Sequence, residues 1–519
     1  MSRHALVIGI TRLGDIIQTE PMVRALKAGG RFEKVTFLVE RSFSDIAGRI
    51  ASVDDLKCVD FEVILGRLDR ASAALPMPEY LALADSLKSN RFDAVYNVTH
   101  SRPSMILTAL ASHEAQGVTL DQQGMQVVNN RWFQYFFATN LGRPWCSFNL
   151  VDIYINAVDP LAAQAERKPQ LLSGGTGSIR SLNSNDGEVL LHVGASKCDK
   201  QWPLEKFVAL SQYLLDRGLK VILIGGGKSA AISEAFPAHK NFRDLLGMTT
   251  IDDLFNLCQN ASLMVSADSG PVHIAAACDL PIVAIEGGSA HGFETAPYTL
   301  SSIVIQPHLG RVMTRRPDKQ VTSAPANLVS VETIISTIEY LTGASNRITS
   351  SPQCTVYETC FRNDVPGLDL RAISGSNSEY EQWQQKLRRF WWRVGGSQHY
   401  GNNSSANELR SFVTASAKSA RLISQTGHNF AALEQGAASL SVAEHALTKM
   451  IEAHPPLHHL NYFLQIARSS VHGESPQEQA RELEQLYDDV AEAAAELELT
   501  PSHRSVKKQY NSNSEKVPT

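Results

Sequence analysis

The sequence predicts an α/β protein made of two parallel-sheet halves in tandem, followed by a mainly helical carboxyl-terminal region. Three observations carry this reading. An apolar strand at the amino terminus runs through a glycine turn into a helix, ALVIGITRLGD (5–15). The same rhythm restarts at EVLLHVGAS (188–196), after a polar stretch. Between 263 and 288 lies LMVSADSGPVHIAAACDLPIVAIEGG, a strand, tight turn, helix and second strand in one unit. Units of this kind build parallel sheets and display their polar residues at the carboxyl ends of strands.

Ala5 to Gly9 is a buried strand, and Ile16, Thr19, Val23 and Leu26 give the next segment helical spacing. Gly29-Gly30 ends that helix, and KVTFLV (34–39) supplies the second strand. The turn is not GxGxxG, so a nicotinamide cofactor is not indicated. Asp15 precedes Gln18 by three residues, the spacing of a helix cap. The same position also suits a carboxylate held at a strand end and facing a cleft. Further strands are expected at Asp93–Val98 and Gly117–Leu120, with a helix from Ser101 between them. That order sets Asn97, His100 and Arg102 on the same side of the sheet as Asp15. They serve there either to meet an acidic or hydroxyl-rich substrate or as solvated loop residues.

The polar stretch QAERKPQLLSGGTGSIRSLNSNDG (164–187) has the composition of a linker. Beyond it come a strand to Val193, a helix at Leu204–Leu215, a strand at Lys220–Ile224 and a helix at Thr250–Gln259. Two Rossmann-like domains with a cleft between them follow, at 1–165 and 187–342. HVGASKCDKQWP (192–203) sets a small-residue loop ahead of Lys200. Such a loop lets phosphate approach the backbone, and lysine brings a mobile positive charge. Trp202 reads as a packing anchor. In SADSGPVHIAAA (266–277), Pro271 suits the first turn of a helix, where Ser269 and Gly270 leave backbone N–H groups for an anion. Asp268 and His273 stand at the same rim.

Past 342 the pattern changes. Residues 343–500 read as a helical extension and 501–519 as a disordered tail. Within the extension, WQQKLRRFWWR (383–393) combines bases with aromatics. It either lies peripherally on an anionic membrane surface or packs its aromatics against the preceding domains.

Composition bounds the function. With 519 residues, 43% hydrophobic and 19% charged, the chain exceeds one core and should divide into several domains. A net charge of −5 gives no reason to expect nucleic acid. Seven cysteines without paired metal spacing fit neither a disulfide framework nor a metal cluster. The amino terminus lacks a signal-like apolar core, so a cytoplasmic location is expected, with contact at the inner membrane left to the 383–393 cluster.

RLGDIIQTEP (12–21), HVGASKCDKQWP (192–203) and SADSGPVHIAAA (266–277), in that order, resemble glycosyltransferase family 9. The similarity runs from about residue 4 to 342, including VSVETIISTIEYL (329–341). That family contains the bacterial lipopolysaccharide heptosyltransferases. The resemblance implies a GT-B fold, with acceptor mainly on the first domain and nucleotide-sugar on the second. It implies an inverting, metal-independent transfer with no further cofactor. In the best-known members heptose passes from ADP-heptose to a lipopolysaccharide-core acceptor.

By the same resemblance Asp15 matches the general base and Lys200 the lysine beside the donor phosphates. Ser196 matches a hydroxyl of the phosphate loop, and Asp268 the acid that meets sugar hydroxyls. Ser269 and Gly270 match the turn presenting N–H groups, and His273 the motif histidine. His100 and Arg102 fall on the acceptor side. Where the family often carries an acidic residue after Gly225-Gly226, this chain has Gly227-Lys228-Ser229. A protein acceptor, and a non-catalytic scaffold derived from a transferase, stay open at this point.

Overall fold

Each half of the chain folds into a parallel sheet that reverses its strand order once. The structure is a computed structural model. It describes residues 3–60, 77–140, 143–172, 187–195, 197–227, 230–308, 326–376, 378–396, 408–425, 430–453, 457–471 and 475–497. The first sheet contains β1 (His4–Gly9), β2 (Lys34–Glu40), β3 (Asp55–Val59), β4 (Ala94–Asn97), β5 (Gln116–Leu120) and β6 (Gln126–Asn129). Its order is β3-β2-β1-β4-β5-β6, with only β6 antiparallel to its neighbour. Ala5, Leu6, Val7 and Ile8 are wholly buried, as expected of a central parallel strand covered on both faces.

The second sheet contains β7 (Glu188–His192), β8 (Lys220–Ile224), β9 (Phe242–Asp244), β10 (Leu263–Ala267), β11 (Ile282–Ile285), β12 (Ser302–Pro307), β13 (Cys354–Phe361) and β14 (Leu368–Ser374). Strands β9-β8-β7-β10-β11-β12 repeat the order of the first sheet, and β13 and β14 extend it antiparallel. Both halves are therefore doubly wound, with switch points between β1 and β4 and between β7 and β10.

The extension from residue 343 is not helical throughout. Residues 354–374 form a β-hairpin that completes the second sheet, and helices begin at Ser378. The hairpin's first strand is mostly β-branched and aromatic, TVYETCF, and Cys354, Val356 and Tyr357 are buried in it. The boundary expected at 342 thus moves to about residue 377. The chain divides into two compact units there: one holds both sheets up to Asn377, and the other comprises Phe137–Ser147 with the helices from Ser378 on. The later linker (173–186) and the tail (501–519) lie outside the described residues.

In the first unit the start of the linker is tied down through Asp152. Its Oδ1 accepts from Arg167 Nη1 at 3.2 Å and from the Tyr298 hydroxyl at 2.7 Å, and its Oδ2 accepts from the Leu368 N–H at 2.9 Å. Gly367, at φ +106°, is pressed so close that a Cβ there would come 2.4 Å from the carboxylate. Asp152 and Arg167 are both fully buried, and the extra hydrogen bonds offset their loss of water.

In the helical unit, Trp383, Leu387, Phe390, Trp391 and Val394 of the helix Ser378–Gly396 are buried. Trp391 packs edge-on against Phe463 at 4.9 Å and donates its indole N–H to His459 Nε2 at 2.7 Å. Arg388, also buried, donates to the Ser147 carbonyl at 2.8 Å. Trp383, Phe390 and Trp391 are thus core and not available to lie on a membrane surface, while Trp392 stays half-buried. No helix among the described residues is long and apolar enough to cross a membrane.

Candidate active site

The polar residues singled out in the sequence gather on loops that leave the carboxyl ends of β1, β7 and β10, the strands flanking the two switch points. Asp15 follows β1 as the third residue of the helix Leu13–Lys27. Arg12 occupies the N-cap position and no side chain caps that end, so Asp15 is not the helix cap its spacing allowed. Its Oδ2 accepts from Thr11 Oγ1 at 3.0 Å. Asp15 keeps part of its surface accessible, yet loss of surrounding water pushes its carboxyl above the usual aspartate range. Arg12, the Thr11 hydroxyl and His273 oppose that rise, while Asp268 adds to it.

Two glycines allow the first helix to meet the helix Gly270–Ala277 of the second half. A Cβ on Gly14 would lie 2.7 Å from Cδ2 of His273, and one on Gly270 would lie 2.6 Å from Cδ2 of Leu13. The amino ends of both helices, each without a side-chain cap, therefore lie together. This contact puts Asp15 within charge range of His273 and Asp268. Burial lowers the His273 pKa, and the neighbouring Asp268 and Asp15 only partly restore it.

Lys200 closes the short turn Cys198–Lys200 and is 3% exposed. Its Nζ donates to Asp268 Oδ2 at 2.5 Å. The two residues assigned to donor phosphate and donor sugar are thus paired with each other. Behind them, His192 Nδ1 lies 3.0 Å from Ser266 Oγ and 3.2 Å from Ser269 Oγ. Burial lowers the His192 pKa to about 4, so the ring is neutral at physiological pH and anchors both hydroxyls. Ser269 is engaged there rather than in capping its own helix, which leaves the amino terminus open to an anion. Trp202 donates its indole N–H to the Val329 carbonyl at 2.9 Å and packs on Phe207, a structural anchor as expected. Ser196, and the Lys228-Ser229 pair, lie outside the described residues.

His100 and Arg102, expected to meet acceptor, follow the end of β4, which lies beside β1 with Asn97 level with Ile8. Arg102 is exposed at the start of its helix, and His100 packs its ring 4.2 Å from Phe136. Asn97 is structural. Buried completely, it donates to Ser104 Oγ at 3.1 Å and the Val118 carbonyl at 2.9 Å.

Sequence reasoning missed Glu286. It follows β11 directly, is 1% exposed, and is close enough to Asp268 and Lys200 to feel both charges. Its Oε2 accepts from Thr295 Oγ1 at 3.3 Å. In the sequence it appears only as the end of an apolar strand before Gly287-Gly288, with no spacing that marks it as functional.

The comparisons agree with this geometry. Residues 80–322 match glycosyltransferase family 9 (heptosyltransferase). Lipopolysaccharide heptosyltransferase 3 of Escherichia coli is 24% identical over 292 residues, covering 54% of this chain and 82% of the relative. Lipopolysaccharide heptosyltransferase 2 of Salmonella typhimurium is 25% identical over 343 residues, covering 60% and 90%. In fold, the chain is similar to a glycosyl transferase family 9 structure from Veillonella parvula, with a TM-score of 0.51 and 17% identity, covering 66% of this chain and 99% of that one. With two doubly wound halves of the GT-B kind and matches that run across both, the chain is similar to the heptosyltransferases of glycosyltransferase family 9, and the likeness supports a glycosyltransferase.

Proposed function

We propose that the protein transfers a sugar with inversion, in the simplest reading heptose from ADP-heptose, onto a hydroxyl of a lipopolysaccharide core or related surface glycan. Asp15 takes the proton of the acceptor hydroxyl as that oxygen attacks the anomeric carbon. The bond from that carbon to the phosphate oxygen breaks, and its electron pair leaves with the nucleoside diphosphate. A single displacement of this kind inverts the anomeric centre.

The leaving group's negative charge is met by Lys200 and by the open amino terminus of the helix Gly270–Ala277, so this reaction draws its counter-charge from the protein. When the diphosphate engages Lys200, Asp268 becomes free to accept from sugar hydroxyls. The observation that carries the reading is the close approach of Gly14 to His273, which holds a base of the first half against the donor loop of the second. Relatives named lipopolysaccharide heptosyltransferases support heptose as the sugar and a lipopolysaccharide acceptor.

The test is incubation of the full chain with ADP-heptose and a heptose-deficient lipopolysaccharide core. Release of ADP with an acceptor mass increased by one heptose is expected. Absence of ADP release with this donor, alongside release of a different nucleotide from another nucleotide-sugar, would overturn the donor assignment.

A further inference from the structure

Among the described residues, two buried carboxyls, Asp268 and Glu286, crowd around the one lysine, Lys200, at this end of the sheet. Lys200 is paired with Asp268 at 2.5 Å. Glu286 and Glu294, both about as buried as Lys200, face the same region from the end of β11 and from the turn Gly292–Thr295. The elements packed around Glu286 supply Lys200 and Asp268 on one side and Thr295 and Glu294 on the other. Asp199 lies against the adjoining Gly288, which takes φ +60° and would clash with it through a Cβ at 2.6 Å. Thr295 satisfies Glu286 Oε2, but Oε1 has no hydrogen-bond partner among the described residues. A buried carboxyl oxygen left unpaired is costly.

We propose that Glu286 is a donor-binding residue, holding its carboxyl proton on Oε1 and offering it to an anionic oxygen of the nucleoside diphosphate that Lys200 engages. The proposal rests on the transferase reading above and adds a residue to it. Charge balance explains the proton. Ionised Glu286 would place an uncompensated anion beside the Lys200–Asp268 pair, and the arriving diphosphate would add more negative charge. A protonated carboxyl gives the pocket a donor that carries no charge of its own, as a neutral acid does wherever it must hydrogen-bond an anion. Burial and the Asp268 charge raise the Glu286 pKa to about 8, against the opposing pull of Lys200, which is consistent with the proton being present at physiological pH.

ADP binding to the full chain, measured by calorimetry between pH 6.5 and 9.5, tests this. The wild-type affinity is expected to fall above about pH 8, by up to about tenfold per pH unit, as the proton is lost. Glu286→Gln keeps a donor of the same shape, so at pH 6.5 it should bind ADP within a few-fold of wild type and lose the alkaline fall. Glu286→Leu removes the hydrogen bond, and its affinity at pH 6.5 should drop roughly 10- to 100-fold. If Glu286→Leu fails to fold, the Glu286→Gln profile decides alone. An alkaline fall in Glu286→Gln matching that of wild type would overturn the proposal. Failure of wild type to bind ADP at any pH would instead overturn the donor assignment on which it rests.

Discussion

The ring of His273 fills the space a side chain at position 14 would need, with Cδ2 2.7 Å from where a Cβ of Gly14 would stand. Glycine at this position is therefore a requirement of packing between the two halves, and the motif Arg12-Leu13-Gly14-Asp15 carries two functions in adjacent residues. One residue permits the contact and the next presents a carboxylate to it.

Gly14→Ala should push His273 away and turn Asp15 from the donor loop. Alanine favours the helix by up to about 1 kcal/mol, while overpacking costs about 1–3 kcal/mol, so the net change in stability should be small. Transfer should fall by roughly 10- to 100-fold, since a displacement near 1 Å is enough for that. Thermal denaturation alongside initial rates checks the separation, and a loss of stability with unchanged rate would contradict it.

Lys200→Met should weaken both donor binding and the fold. It leaves the carboxylate of Asp268 buried without its partner, a change that typically costs about 3–5 kcal/mol. Adding Asp268→Asn should restore part of that stability while leaving transfer abolished. Urea unfolding of the single and double variants makes the comparison, and additive losses would mean the pair is not coupled.

The pH dependence of stability has a definite sign at two buried groups. Glu286 has a folded pKa raised from 4.5 to about 8, so its contribution is fully present below 4.5 and is lost as pH rises to about 8. His192 has a folded pKa lowered from 6.5 to about 4, so its contribution is present above 6.5 and is lost as pH falls to about 4. The melting temperature of Glu286→Gln should therefore decline less than that of wild type between pH 5 and 8. Parallel curves would remove Glu286 from the balance.

Truncation after Thr342 should yield insoluble or poorly folded protein. It removes β13 and β14, leaving β12 as a bare edge and uncovering core around Val283, Ile305 and Ile334 where Cys354 and Val356 now pack. A soluble product with cooperative unfolding would show that the hairpin is dispensable.

Much of this organisation was legible in the sequence because it is local. Val221–Ile224 is apolar throughout and the strand forms with the expected bounds, Lys220–Ile224, and Thr250 caps the helix Ile251–Asn260 as its spacing to Asp253 allows. The edge hairpin was harder to read. Its strands sit among serine, asparagine and glycine, and only pairing with β12 gives them a sheet to join. Asp15 was ambiguous because Asp-x-x-Gln serves caps and cleft acids alike, and only the backbone at Arg12 decides between them. Glu286 could not be found by spacing at all. Its meaning comes from Lys200 and Asp268, residues from other strand ends that the fold brings beside it.

The transfer reaction itself should show the raised Asp15 pKa. A general base must be ionised to act, so kcat/KM should rise with pH through a pKa above that of an ordinary aspartate. An acid limb that matches a free aspartate, or one that persists in Asp15→Asn, would assign the limb to another group.

Single-turnover transfer by Asp15→Asn tests the central claim most directly, because asparagine keeps the shape of the side chain and removes its capacity to take a proton. The account predicts a fall of roughly 10²–10⁴-fold in the chemical step with ADP affinity within a few-fold of wild type. A near-normal single-turnover rate would contradict it and remove Asp15 from the mechanism.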